Sequence, residues 1–172
     1  NKLVYHRRTG KPYTGKCETC HPNGTLERVV TFKNGREDGI DSTFYSDGQL
    51  RVVRNHVNGT EDGNWVYFYP NGKKAWEMSY EMGQKVGTHR YYYSNGDVKK
   101  VENYEDGKLN CVVKLHYNNE SNQLHREAHY DDGILDGVFK SYFEDGVLMT
   151  KQNFDDGEKE GRFEFYYENG QP

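Results

Sequence analysis

The 172-residue sequence has no run of apolar residues approaching the roughly 20 that a membrane-spanning helix needs, which excludes a helical bilayer span. Cysteine is scarce as well. Three cysteines cannot all pair, and Cys17 and Cys20, on what reads as a strand, would stand roughly 10 Å apart at about 3.3 Å per residue, too far for a disulfide. A disulfide-stapled scaffold is therefore not expected, and either redox environment is open to the chain. Hydrophobic residues make up only 33% of the sequence and mean hydropathy is −1.11, too polar for a thick conventional core. The net charge of −4 offers no general attraction for nucleic acid phosphates. Helical periodicity is missing: apolar residues do not recur at helical spacing, and turn signals interrupt every stretch long enough for a helix. Ser-His-Asp arrangements, Walker loops and dinucleotide fingerprints are also missing, so no enzyme, catalytic residue, cofactor or metal centre is expected.

What the sequence does hold is glycine and aromatic rings, 19 Gly with 15 Tyr, 8 Phe and 2 Trp. That many rings argue against disorder, and the glycines do not fall at every third position as a collagen requires. They fall on a lattice instead. Gly15, Gly39, Gly63 and Gly87 are 24 residues apart, Cys111 stands where the next is due, and Gly137 and Gly161 resume after one 26-residue unit. A second column is Gly24, Gly48, Gly72, Gly96, Gly146 and Gly170, and a third is Gly35, Gly59, Gly83, Gly107, Gly133 and Gly157. The rings obey the same ruler in five columns: Trp65, Phe139, Phe163; Tyr67, Tyr91, Phe165; Phe44, Phe68, Tyr92, Tyr142, Tyr166; Tyr45, Tyr69, Tyr93, Tyr117, Phe143, Tyr167; and Phe32, Tyr80, Tyr104, Tyr130, Phe154. A fixed period of this length is the mark of a repeat architecture.

Aromatic and β-branched enrichment bounded by Asn-Gly and Asp-Gly pairs predicts two strands per repeat. Pairs such as Asp47-Gly48, Asn71-Gly72, Asn95-Gly96 and Asp145-Gly146 are expected to supply the positive φ of one tight hairpin turn. Stretches such as Gly35-Arg-Glu-Asp-Gly39 and Gly59-Thr-Glu-Asp-Gly63 are expected to form the other. The expected fold is all-β: an elongated, single-layer, twisted antiparallel sheet of tandem 24-residue β-hairpins. A leader occupies residues 1–14 and the array 15–172, with units starting at 15, 39, 63, 87, 111, 137 and 161. Each repeat buries its face only against its neighbours, so stability should be a sum of nearest-neighbour terms. The sequence starts at Asn1 without an initiator Met, which reads as a processed or truncated product and leaves the compartment open, with the cytoplasm favoured over periplasm or envelope.

Several local patterns compete with the repeat for explanation. Cys17-Glu18-Thr19-Cys20-His21 has the spacing of a c-type haem attachment, but Cys20 and His21 stand in the columns of Phe44 and Tyr45, so the five residues read as a repeat strand with its rings replaced. His116, His125 and His129, with Glu127 and Asp131, make the richest histidine patch; His125 and His129 are expected on one strand face, but His116 replaces a ring of its column and the other two stand in columns that are polar in most repeats, so none is read as a ligand. Asp41 and His89 replace the Trp or Phe of their column. Trp76 is the one ring inside the full repeats that lies off all five columns, where the equivalents are Arg28, Val52, Lys100, Arg126 and Thr150. Met78 follows on the same strand face, and Met82 replaces a turn Asn or Asp. Trp76, Met78 and Met82 are therefore the candidate partner-binding residues. The competing reading is that Trp76 compensates for Lys74, which stands where other repeats place Leu26, Leu50, Leu124 and Leu148.

The unit Gly-x-Trp/Phe-x-x-Tyr/Phe-Tyr-x-Asn/Asp-Gly, followed by Tyr/Phe-x-Asp/Asn-Gly-x-x-Asp-Gly, resembles the MORN repeat variant of bacteria, as found in YwqK-family antitoxin proteins. The segment Val4-Tyr5-His6-Arg7-Arg8-Thr9-Gly10-Lys11-Pro12-Tyr13-Thr14-Gly15-Lys16 is similar to the opening of many such proteins. The resemblance implies a single-layered sheet without catalytic residues, and a non-enzymatic, antitoxin- or immunity-type protein that binds and blocks a partner toxin. Residues 1–86 carry 13 Lys and Arg against 10 Asp and Glu, whereas 87–172 carry 10 against 17, so a basic toxin would be steered to the C-terminal half. The alternative is an envelope adaptor that meets lipid headgroups or glycans, with membrane contact the less favoured of the two. Oligomeric state is not legible in the sequence.

Overall fold

The computed structural model describes residues 3–172 and forms fifteen β-strands from them, with no helix among the described residues. The chain divides into two units, Asn1–Gln84 and Lys85–Pro172. In the first, β1 (Gly15–Cys20), β2 (Leu26–Lys33), β3 (Arg36–Phe44), β4 (Leu50–Val57), β6 (Gly63–Phe68) and β7 (Lys74–Glu81) lie side by side in that order, and the two-residue β5 (Thr60–Glu61) pairs with β4. The second unit starts within β8 (Gln84–Tyr92) and continues through β9 (Val98–Glu105), β11 (Cys111–His116), β12 (Leu124–Asp131), β13 (Ile134–Tyr142), β14 (Leu148–Asp155) and β15 (Glu158–Phe165), with the short β10 (Lys108–Leu109) on β9. Pairing is antiparallel between sequence neighbours, which is the all-β hairpin order expected from the repeat.

Two kinds of turn alternate, and they differ from the sequence expectation in an instructive way. The tight turns are Asn34-Gly35, Asn58-Gly59, Met82-Gly83, Asp106-Gly107, Asp132-Gly133 and Asp156-Gly157, with positive φ at both residues. This is the two-residue turn whose twist matches the flanking strands. The pairs Asp47-Gly48, Asn71-Gly72, Asn95-Gly96 and Asp145-Gly146 are not such turns, because only their glycines have positive φ. Their Asn or Asp instead accepts the N–H two residues on: Gln49 to Asp47 at 2.9 Å, Lys73 to Asn71 at 3.1 Å, Asp97 to Asn95 at 3.0 Å and Val147 to Asp145 at 2.9 Å. A wider loop with an Asx hydrogen bond needs one left-handed residue, not two.

The stretch Gly35 to Gly39 is likewise not a turn throughout. Gly39, at φ 99°, is a bulge residue inside β3, where the register slips between Val30–Asp41 and Phe32–Glu37. Where an aspartate precedes such a glycine, it works on the following turn. Asp38 accepts the N–H of Asn58 at 3.1 Å, and Asp62 accepts that of Met82 at 3.2 Å.

Within each unit the buried side chains are few. In the first, Val30, Phe32, Val52, Trp65 and Ala75 are buried with the polar Asp41 and His56, and in the second Ala128 is buried with His89, Glu102, Ser141 and Gln152. A second bulge recurs where each strand meets its wider loop: Thr43 pairs with Val52 but Phe44 with Leu50, so Arg51 is an extra residue, and Ala75 and His125 are extra by the same offset. The fourth ring column has a specific use. Tyr45 donates its hydroxyl to the Phe68 carbonyl at 2.7 Å, Tyr93 to that of His116 at 2.6 Å and Tyr117 to that of Tyr142 at 2.7 Å. These three repeats are thereby clasped to the ones that follow. The leader joins the first unit through Val4 N–H to the Gly35 carbonyl at 2.8 Å and Gly35 N–H to the Tyr13 carbonyl at 2.6 Å.

Candidate functional site

Trp76 and Met78 stand on one face of β7 because their separation is even and no bulge intervenes. Opposite them on β6 are Tyr67, the cross-strand partner of Trp76, and Trp65, that of Met78. Trp76 stacks on Tyr67 with ring centres 5.1 Å apart and planes 17° apart, while Trp65 is buried against Tyr80 at 4.9 Å. Met82 is not part of this group. It occupies the first position of the tight turn after β7, at φ 47°, with 78% of its surface exposed. A methionine in a conformation that Asn and Asp adopt more readily is held there by its N–H bond to Asp62.

The stack on β7 extends further than the sequence suggests. Arg51, placed on this face by its bulge, lays its guanidinium over the Tyr67 ring at 5.6 Å and the Tyr45 ring at 5.7 Å, and its Nε donates to the Tyr67 hydroxyl at 2.7 Å. The bond that Arg51 donates to Tyr67 raises the Arg51 pKa, and burial followed by Tyr67 raises that of Tyr45. The result is a continuous row, Tyr45, Arg51, Tyr67 and Trp76, in which every ring is half-buried and Arg51 is exposed. Periodicity could have found Tyr45 and Tyr67 but not Arg51, whose direction depends on the bulge.

A second group was invisible to motif reading. Asp41 is fully buried and accepts Arg28 through both oxygens, at 2.9 and 3.0 Å, as well as Arg54 from β4. Arg28 also holds Glu37, and the Arg54 guanidinium lies 5.3 Å from the Trp65 ring centre. Burial alone would raise the Asp41 carboxyl, but the Arg28 hydrogen bond and the charges of Arg54 and Arg28 outweigh it and hold its pKa low. The Asp41 bond does the reverse for Arg28, raising it against burial. Glu37, Asp41 and His56 each bring one donor atom within 4.8 Å of the others, the spacing of a metal site. The donor chemistry does not suit a cation, because Arg28 and Arg54 already use the oxygens of Asp41 and two fixed positive charges adjoin the cluster. The signal in the sequence was an Asp in a ring column with an Arg thirteen residues to either side.

In the second unit, fully buried His89 packs on Tyr104 at 4.6 Å, and Glu102 beside them takes Lys100 at 2.7 Å and the Tyr104 hydroxyl at 3.2 Å. Burial followed by Glu102 pushes Tyr104 up to about 12, whereas Lys100 overcomes burial to lower Glu102. His125 and His129 do not share a surroundings. The bulge at His125 breaks the alternation, so His125 packs on Tyr117 at 4.3 Å while His129 lies against Gly137. Cys17, Cys20 and Cys111 are free thiols, Cys17 and Cys20 within β1.

Tandem hairpins of this build define a repeat scaffold. The chain belongs to the MORN repeat variant family, whose pattern matches residues 13–34, 61–82, 85–106, 135–156 and 159–172. The internal gaps in that match contain Asp41 and Val113, both in the ring column of Trp65 and Phe139. No curated protein matches the chain. Among solved structures it is similar to a Glycosylation Associate Protein (Gap123) complex from Streptococcus agalactiae, at 18% identity and a TM-score of 0.35, covering 70% of this chain and 22% of that one. It is also similar to accessory secretory protein 1, 2 and 3 in Streptococcus pneumoniae, at 16% identity and a TM-score of 0.24, covering 80% of this chain and 21% of that one. The chain thus spans about a fifth of the length of these structures.

Proposed function

We propose that this repeat scaffold is a non-enzymatic protein-binding module that works by occlusion, as an antitoxin or immunity-type protein does when it covers a toxin's working surface. The observation that carries the reading is the row Tyr45, Arg51, Tyr67 and Trp76. Tyr, Arg and Trp are the residue types that dominate binding hot spots, and here they are stacked on one another before any partner arrives. Preorganisation of this kind reduces the side-chain entropy lost on association. Met78 flanks the row from the same strand face, and Met82 offers a separate exposed contact at the turn.

The test is capture from the source lysate with wild-type chain and Trp76→Ala in parallel, followed by titration of the recovered protein against both. One protein in near-stoichiometric yield, bound about 30-fold or more weaker by the variant, is the expected result, a loss of about 2 kcal/mol. Equal affinity for both would remove the row as the contact surface. Salt-sensitive sedimentation with anionic vesicles, and no captured protein, would replace the reading with a lipid-binding adaptor.

A further inference from the structure

The repeat that starts at Cys111 keeps Tyr117 and Tyr130 but lacks two rings of its first strand. Val113 stands in the column of Trp65 and Phe139, and Leu115 in the column of Tyr67, Tyr91 and Phe165. Ala128 on β12 pairs with Val113 on one side and with Phe139 on the other, so the side chain directly opposite Val113 is only a methyl group. A cavity of about 200 Å³ results, floored by Leu109, Val113, Leu115, Ala128 and Tyr130. An apolar cavity of about 150 Å³ is enough to hold benzene.

The rim is charged asymmetrically. Lys100 and Arg126 both border the cavity and are cross-strand partners of Leu115 from its two sides. Lys100 is neutralised by Glu102, which is itself buried and bonded to Tyr104. Arg126 is exposed, lies over the Phe139 ring at 5.5 Å, and forms no ion pair with a carboxylate among the described residues. One cation beside an empty ring-sized notch is complementary to a ring with a carboxylate next to it.

We propose that this notch receives an aromatic side chain of a protein partner, with an adjacent Asp or Glu of that partner taken by Arg126. The proposal deepens the protein-binding reading and rests on it for the source of the ligand. The partner's ring supplies what the repeat omits, stacking in the column between β9 and β12. The carboxylate forms the charge-assisted bond that Arg126 does not make within its own chain.

The experiment is an NMR titration of the full chain with N-acetyl-Phe-Asp-amide, alongside the Phe-Asn and Ala-Asp peptides. Saturable shifts at Val113, Leu115 and Ala128 are expected from Phe-Asp, with at least about tenfold weaker binding for each control. Val113→Phe restores the column residue and should abolish the shifts, Ala128→Leu should do the same by a different route, and Arg126→Met should weaken binding about tenfold. Absence of saturable shifts, or shifts that persist in a folded Val113→Phe or Ala128→Leu protein, would overturn the notch. A chain that captures a partner yet ignores the peptide overturns the notch alone; one that binds the peptide but captures no protein supports the notch and removes the scaffold reading.

Discussion

Replacing Asp41 with alanine should destabilise the first unit by about 3 kcal/mol. Breaking a buried ion pair from one side typically costs about 3–5 kcal/mol, because the partner charge stays behind without compensation. Here two partners stay behind. Arg28 and Arg54 keep 33% and 29% of their side-chain surface exposed, so water can partly replace the carboxylate, which places the cost at the low end of that range. Arg54 Nε, buried and without an acceptor, cannot share in that relief. Because a repeat interacts only with its neighbours, the loss should be local. Amide hydrogen exchange, followed by mass spectrometry, should show β3 and β4 opening about 100-fold more often, while the strands from β12 onward exchange as before. The triple variant Arg28→Met, Asp41→Phe, Arg54→Met provides the counter-test. It exchanges the ion cluster for the ring this column carries elsewhere, and should recover stability to within about 1 kcal/mol of the native protein. An Asp41→Ala protein less than 1 kcal/mol below native, or a triple variant as unstable as the single one, would refute the argument that the arginines are what the aspartate is for.

Tyr45→Phe removes only the hydroxyl that reaches the Phe68 carbonyl, and urea unfolding should register a loss of about 0.5–1.5 kcal/mol with no change in m-value. Acid should act through Asp41 and Glu102, whose pKa values are lowered in the folded chain. A depressed carboxylate contributes stability above its unfolded pKa of about 4 and loses it as pH falls through the folded value. The urea midpoint should therefore be level from about pH 7 to 5 and fall below about pH 4, with a shallower fall in an Asp41→Asn, Glu102→Gln double variant.

The spacing of glycines and rings was enough to read the all-β class, the hairpin order and the number of strands per repeat, because a period of 24 residues constrains every hairpin at once. The turns were half legible. An Asn-Gly or Asp-Gly pair signals a turn, but whether it forms a two-residue turn or an Asx-closed loop depends on how many residues the strands leave between them, as Asn34-Gly35 and Asn71-Gly72 show. Bulges defeated the face assignments. Arg51 and His125 occupy extra positions, and two-residue alternation gives no rule for where such a residue points. The Asp41 cluster was hidden for a related reason, since Arg28, Asp41 and Arg54 lie 13 residues apart and meet only once β2, β3 and β4 are in register. Trp76 and Met78 were legible as neighbours from parity alone, whereas the Arg51 contact that extends their row was not.

The clasp between repeats carries an implication for how such a chain changes over generations. Its two halves, a tyrosine hydroxyl reaching forward to a carbonyl 23 residues on and a turn glycine N–H reaching back to a carbonyl 22 residues before, as from Gly59 to Glu37 and Gly83 to Glu61, are set by offset and not by the identity of the residues met. Copying or excising one 24-residue segment that carries the tyrosine, by unequal recombination, would rejoin like to like and leave such a seam bonded as before. The length of the array is thus free to drift in whole units, while the cluster at Asp41 and the notch at Val113 mark individual repeats that such an exchange would gain or lose entire.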